Sequence, residues 1–147
     1  MKRIHIGLSV ADIPGSVAFY TRLFGAEPTL VKEDYAKWQL EDPRVNFSLS
    51  RRSEAPGAYH LGIQVETAAE LADISDRLRA AGEPLLDEGE TTCCYHRSDK
   101  AWAVDPQRVR WETFLTHGET TVYGEDGFPA GPASEAEERP VKARCCT

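Results

Sequence analysis

Two adjacent thiols, Cys93 and Cys94, sit in the run Glu90 to Lys100, ETTCCYHRSDK, and a second adjacent pair, Cys145 and Cys146, stands near the end of the chain. Cysteines that staple small secreted folds are dispersed, whereas neighbours can close only a tight ring across one peptide bond, which strains disulfide geometry. In a reducing compartment these are four thiols, and the chemistry that suits an adjacent pair is shared ligation of one soft atom. A different donor set lies elsewhere: the imidazoles of His5 and His60 and the carboxylate of Glu112. These are far apart along the chain, so their meaning depends on what brings them together.

An internal repeat supplies that link. His5-Ile-Gly-Leu-Ser-Val10 matches His60-Leu-Gly-Ile-Gln-Val65. Both alternate as half-buried strands do, with Ile4, Ile6, Leu8 and Val10 on one face and Leu61, Ile63 and Val65 on the corresponding face of the second copy. Both histidines point away from that apolar face. A helix follows each strand. In the first copy Pro14 stands early, Val17, Tyr20 and Phe24 share a stripe, and Gly25 stops it. In the second, Thr67-Ala-Ala-Glu70 is a capping box, Leu71, Ile74 and Leu78 form the stripe, and Gly82 ends it. The copies close alike: Asp42-Pro-Arg-Val-Asn-Phe-Ser48 lines up with Asp105-Pro-Gln-Arg-Val-Arg-Trp-Glu112 once the turn admits one extra residue, which makes Ser48 the counterpart of Glu112. Short strand-like runs, Ala36 to Leu40 and Val45 to Leu49, then Thr91 to His96 and Ala101 to Val104, fill each copy.

The unit therefore reads β-α-β-β-β, twice. The expected fold is α+β, two tandem modules at about residues 2–50 and 58–116 forming one cupped mixed sheet within a single domain, 1–117. Pseudo-twofold symmetry would bring His5 and His60 to equivalent places in the cup, with Glu112 beside them. One histidine on a strand is ordinary, but two in register with a carboxylate at the matching end point to a metal. Two imidazoles and one carboxylate on one side of the ion suit non-haem Fe(II), with positions left open for substrate and dioxygen. The same donors accept Zn, Mn, Ni or Co. His96 and His117 have no repeat partner and are left out of the set.

Net charge −7 argues against nucleic acid or an anionic membrane as the main partner and favours a small ligand. No apolar run is long enough to span a bilayer, and MKRIHIGLSV is no signal peptide, so a cytoplasmic protein is expected. From Gly118 the composition turns to Gly, Pro, Glu and Ser, and 118–147 is read as a mobile acidic tail carrying Cys145 and Cys146.

With D-(x)n-FY-(x)2-LFG in the first helix and a DP-turn-RWE last strand, the paired modules resemble the vicinal oxygen chelate superfamily of glyoxalase I, extradiol dioxygenases and fosfomycin and bleomycin resistance proteins. TTCCY, DKAW, WE and the C-terminal Cys-Cys resemble, within it, the carbon-arsenic lyases and cadmium-induced proteins. The resemblance implies an Fe(II)-dependent dioxygenase that cleaves the carbon-arsenic bond of trivalent organoarsenicals, such as methylarsonous acid or aryl analogues, to arsenite. It places the metal on His5, His60 and Glu112 and the arsenical on Cys93 and Cys94. The valences agree: an arsenic keeping one carbon substituent has two exchangeable positions, which two thiolates fill.

Neighbouring side chains on a regular strand point to opposite faces, so a bend or loop is expected at Cys93-Cys94. Tyr95, His96 and Lys100 are candidates for closing the site around substrate, and Cys145 and Cys146 for capturing or handing on arsenic. Arg108 stands where a glycine is expected, in a turn that calls for positive φ. Alternatives are a cadmium- or arsenite-binding protein without turnover, and another metal-dependent enzyme of the same superfamily. Either a monomer or a homodimer is compatible with two modules in one chain.

Overall fold

The computed structural model describes residues 1–121, apart from Glu54, Cys94 and the side chain of Glu119. The element order is β1 (Arg3–Ser9), α1 (Ile13–Phe24), β2 (Leu30–Val31), β3 (Tyr35–Glu41), β4 (Arg44–Ser50), β5 (Gly57–Val65), α2 (Ala68–Ala80), β6 (Leu86–Cys93), β7 (His96–Val104) and β8 (Arg110–Glu119). This is β-α-β-β-β twice. All eight strands join one mixed sheet in the order β2-β3-β4-β1-β5-β8-β7-β6. Within each module the first and last strands pair in parallel, β1 with β4 and β5 with β8, and the modules meet where β1 runs antiparallel to β5.

The helices form where the stripes and stop signals lie. Gly25 takes the left-handed conformation, φ 63°, that ends α1. Thr67 Oγ1 accepts from the backbone N–H of Glu70 at 3.2 Å, capping α2. Helix α1 covers the outer face of the first module, where Ile13, Ala36, Trp38, Val45, Phe47 and Leu49 form the core, with Val17, Tyr20 and Phe24 packed on it. Trp38 is fully buried, and its Nε1 donates to the carbonyl of Ala26. Among the described residues no helix is long and apolar enough to cross a membrane.

The histidine-bearing face departs from the usual pattern of alternation. On β1 the buried residues are Arg3, His5, Gly7 and Ser9, while Ile4 on the apolar face remains half exposed. The same inversion holds on β4, where Asn46, Ser48 and Ser50 are as buried as Val45, Phe47 and Leu49. Both faces of the sheet are interior: one is covered by helices, the other closes on itself as the concave side of a cup.

Two local expectations change. The run Thr91 to His96 is not one strand, because Cys93 and His96 are direct partners across the β6–β7 ladder and the chain reverses between them. Strand β8 continues to Glu119, and the N–H of Thr120 still donates to the carbonyl of Tyr95. The cysteines Cys94, Cys145 and Cys146 lie outside the described residues.

Candidate metal centre and thiol cleft

The β1–β5 junction places the histidines. His5 pairs with Gly62 and Gly7 with His60, so each imidazole faces the glycine of the other copy's His-x-Gly. The glycines are needed for space: a Cβ on Gly7 would lie 2.5 Å from His60 Cε1, and one on Gly62 would lie 2.4 Å from the backbone oxygen of Glu112. Gly7 also pairs with Ser48 on β4, and Gly62 with Glu112 on β8. Ser48 and Glu112 are thus structural counterparts, as the repeat implies.

His5 and Glu112 are only 5% and 4% exposed. Nδ1 of His5 lies 3.0 Å from the carbonyl oxygen of Asn46. That oxygen can only accept, so Nδ1 carries the proton and Nε2 presents its lone pair to the cup. His5 Nε2 and His60 Nε2 are 2.8 Å apart, and Glu112 Oε2 lies 3.7 Å from the first and 3.4 Å from the second. Bonds of about 2.1 Å meeting at right angles on one ion would put neighbouring ligand atoms about 3.0 Å apart. The three donors therefore fit one side of an octahedral divalent ion, and they are the His/Cys/Asp/Glu group of that kind found among the described residues. Nδ1 of His60 is buried with no hydrogen-bond partner among them. Its ring is held instead by Trp102, edge-on at 5.4 Å between centroids, and by the floor at Gly7.

The electrostatics prepare the ligand forms. Burial, then the neighbouring His60, lower the His5 pKa to about 4 against the pull of Glu112 and the Asn46 carbonyl, so its ring is neutral at pH 7. Burial alone would raise the pKa of Glu112. The Lys100 ammonium and the hydrogen bond from His60 outweigh it and hold the carboxyl well below its usual range. Lys100 Nζ donates to Glu112 Oε1 at 2.5 Å, which leaves Oε2 facing the imidazoles. Lys100, a candidate for closing the site, is placed against Glu112 of the candidate metal set.

The same cleft, about 480 Å³ including its open mouth, reaches from this triad to Cys93. Cys93 ends β6 and is 4% exposed. The expected break in the strand follows it at once: Tyr95 has φ 61°, in the left-handed region that only a tight turn justifies for tyrosine. Tyr95 Oη donates to Asp34 Oδ1 at 2.7 Å, tying this turn to the chain before β3. Two contributors, Arg52 and Lys37, carry no signal in the sequence. Arg52 Nη2 lies 3.0 Å from Cys93 Sγ, and Lys37 Nζ donates to His96 Nε2 at 3.0 Å, with both residues lining the cleft. Gly7 and Gly62 were legible, since the glycine repeats with the histidine.

Residues 2–113 match the sequence model of the Glyoxalase/Bleomycin resistance protein/Dioxygenase superfamily. The chain belongs to this superfamily. It is 44% identical over 151 residues to a trivalent organoarsenical cleaving enzyme of Bacillus sp. (strain MD1), covering all of this chain and 91% of that one. It is 31% identical to the cadmium-induced protein CadI of Mycobacterium bovis, covering 99% and 93%. Among solved structures, an extradiol ring-cleaving dioxygenase from B. fuscum superimposes with TM-score 0.61 at 16% identity, covering 80% of this chain and 33% of the other. That likeness is one of fold, and the superfamily's tandem modules are the ones described above.

Proposed function

We propose that the protein is an Fe(II)-dependent dioxygenase that cleaves the carbon-arsenic bond of trivalent organoarsenicals, methylarsonous acid or an aryl analogue, and releases arsenite. The observation that carries this reading is one cleft holding both a His5–His60–Glu112 donor set and the Cys93 thiol. The 44% identity with an organoarsenical cleaving enzyme supports the substrate class.

Fe(II) held by His5, His60 and Glu112 would supply the redox chemistry towards dioxygen. The chain's own residues do the rest. The Asn46 carbonyl fixes the His5 tautomer, and Lys100 occupies one oxygen of Glu112 so that the other is presented alone. Cys93 and its neighbour Cys94 exchange for the two hydroxyls on arsenic and leave the carbon substituent free, and thiolates are the donors that such a soft centre prefers. The counterpart of Glu112 in the first module is Ser48, a weak ligand, so a fourth strong protein donor is missing at that position and the metal keeps room for substrate.

Anaerobic reconstitution with Fe(II), followed by methylarsonous acid with and without air, tests this through arsenic speciation. Arsenite is expected only with iron and oxygen, and is expected to vanish in Cys93→Ser and Glu112→Ala proteins. Similarity to a cadmium-induced protein favours a second reading, soft-metal sequestration by the thiols. Tight binding of the arsenical with no arsenite under any metal, unaffected by Glu112→Ala, would replace the first reading with the second.

A further inference from the structure

Arg52 lies in the stretch joining β4 to β5, between the two copies of the repeat. Its guanidinium comes within 3.0 Å of the sulfur of Cys93. A guanidinium is always charged and can only donate, so the sulfur is the acceptor. A thiol sulfur accepts weakly, whereas a thiolate accepts a charge-assisted bond. The surroundings have the same sign. Lys37 donates to His96, the direct cross-strand partner of Cys93; Lys100 faces the cleft beside Glu112; and Tyr35 adds a neutral hydroxyl-bearing wall. Among the described lining residues, three cations face one carboxylate, within a chain of net charge −7.

We propose that Arg52 holds Cys93 as its thiolate and so readies it to capture the trivalent arsenical, with Arg52 as the positioning residue for that step. The inference rests on reading the cleft as the arsenical site. In the capture, the Cys93 sulfur forms a bond to the arsenic of R–As(OH)2, one arsenic–oxygen bond breaks, and the departing hydroxide takes a proton from solvent and leaves as water. Arsenic remains trivalent and nothing is oxidised. The neighbouring thiol, giving its own proton to the second hydroxyl, then displaces it as water.

The test uses the full chain, metal-free in chelator, with Cys94, Cys145 and Cys146 replaced by serine so that Cys93 is the one thiol left. Its alkylation by iodoacetamide is followed across pH 5 to 10, a range of about two units either side of the midpoint expected for a cysteine beside a cation. A neighbouring unit charge moves such a midpoint by about one unit or more. Arg52→Gln is therefore expected to raise the midpoint by about one unit. At pH 7 this leaves about eightfold less thiolate, partly offset by a more nucleophilic sulfur, so alkylation slows about threefold. Arg52→Lys, which keeps the charge, is expected to recover at least half of the shift. Circular dichroism confirms that each protein is folded, and should Arg52→Gln fail to fold, Arg52→Leu and the lysine variant provide the comparison. An unchanged midpoint in the uncharged variant overturns the proposal, as does a lysine variant that behaves like it. Neither arsenical nor iron enters the assay, so its failure is distinct from failure to release arsenite.

Discussion

Gly7→Ala isolates what the His-x-Gly repeat does for the metal site. The added methyl would lie 2.5 Å from His60 Cε1, 2.8 Å from Nε2 and 2.9 Å from Nδ1. Carbon atoms in contact keep about 3.5 Å, so the imidazole must retreat by about 1 Å. Trp102 and His5 flank the ring, and it can yield only towards the open cleft. Metal sites tolerate displacements of about 0.2 Å, so a 1 Å retreat removes His60 Nε2 as a ligand. Disturbing only the outer partners of a ligand costs about 10- to 100-fold in affinity, so loss of the ligand itself is expected to weaken divalent metal binding by at least 100-fold. The fold should survive, with an overpacking cost of about 1–3 kcal/mol. Gly62→Ala is the contrast, because its methyl would meet the backbone oxygen of Glu112 at 2.4 Å and that oxygen cannot move without parting β5 from β8. Competition titration with Co(II) or anaerobic Fe(II), alongside urea denaturation of the metal-free proteins, separates the two effects. Wild-type metal affinity in folded Gly7→Ala would refute the argument that this glycine exists to seat His60.

Three further outcomes follow from the same geometry. Because the pKa of His5 is lowered in the fold to about 4 from 6.5, the unfolded chain binds the extra proton first, and metal-free protein is expected to lose about 3 kcal/mol as pH falls from about 6.5 to 4, with Glu112 adding to the loss below about pH 4.5; urea midpoints measured across that window check it. Lys100→Met leaves the buried Glu112 carboxylate without its ammonium and should destabilise the metal-free protein by about 3 kcal/mol, a loss that Zn(II) recovers by supplying the charge; equal losses with and without metal would mean that Lys100 matters for packing alone. Arg108 has φ 70° in the turn before β8, so Arg108→Gly is expected to stabilise by about 1 kcal/mol, visible as a melting temperature raised by about 3 °C, with the metal site unchanged.

The parts of the site legible in the sequence are those tied to the repeat. His5, His60, Ser48 and Glu112 could be placed because a pseudo-twofold arrangement sends equivalent residues to equivalent positions, and the register of β1 on β5 does bring them together. The turn after Cys93 was legible for a different reason: two neighbours on a regular strand point to opposite faces, so the expectation of a shared ligand atom called for a break, and Tyr95 at φ 61° makes one. The extent of burial on the histidine face was not legible. The cup was expected to hold His5 and His60, but alternation only tells one face from the other and does not say how far Arg3, Ser9, Asn46 and Ser50 are closed off with them. Arg52 and Lys37 were hidden because neither belongs to the symmetry: one stands in the connection between modules, and the other pairs with Ser48 just as Trp102 pairs with Glu112, a lysine opposite a tryptophan in the two copies. Such departures are where specialisation is to be sought. Symmetry brings the candidate metal ligands together from both modules, whereas Arg52 and Lys37 have no cationic counterpart in the second copy, so the chemistry at the thiol depends on what distinguishes the halves of the cup.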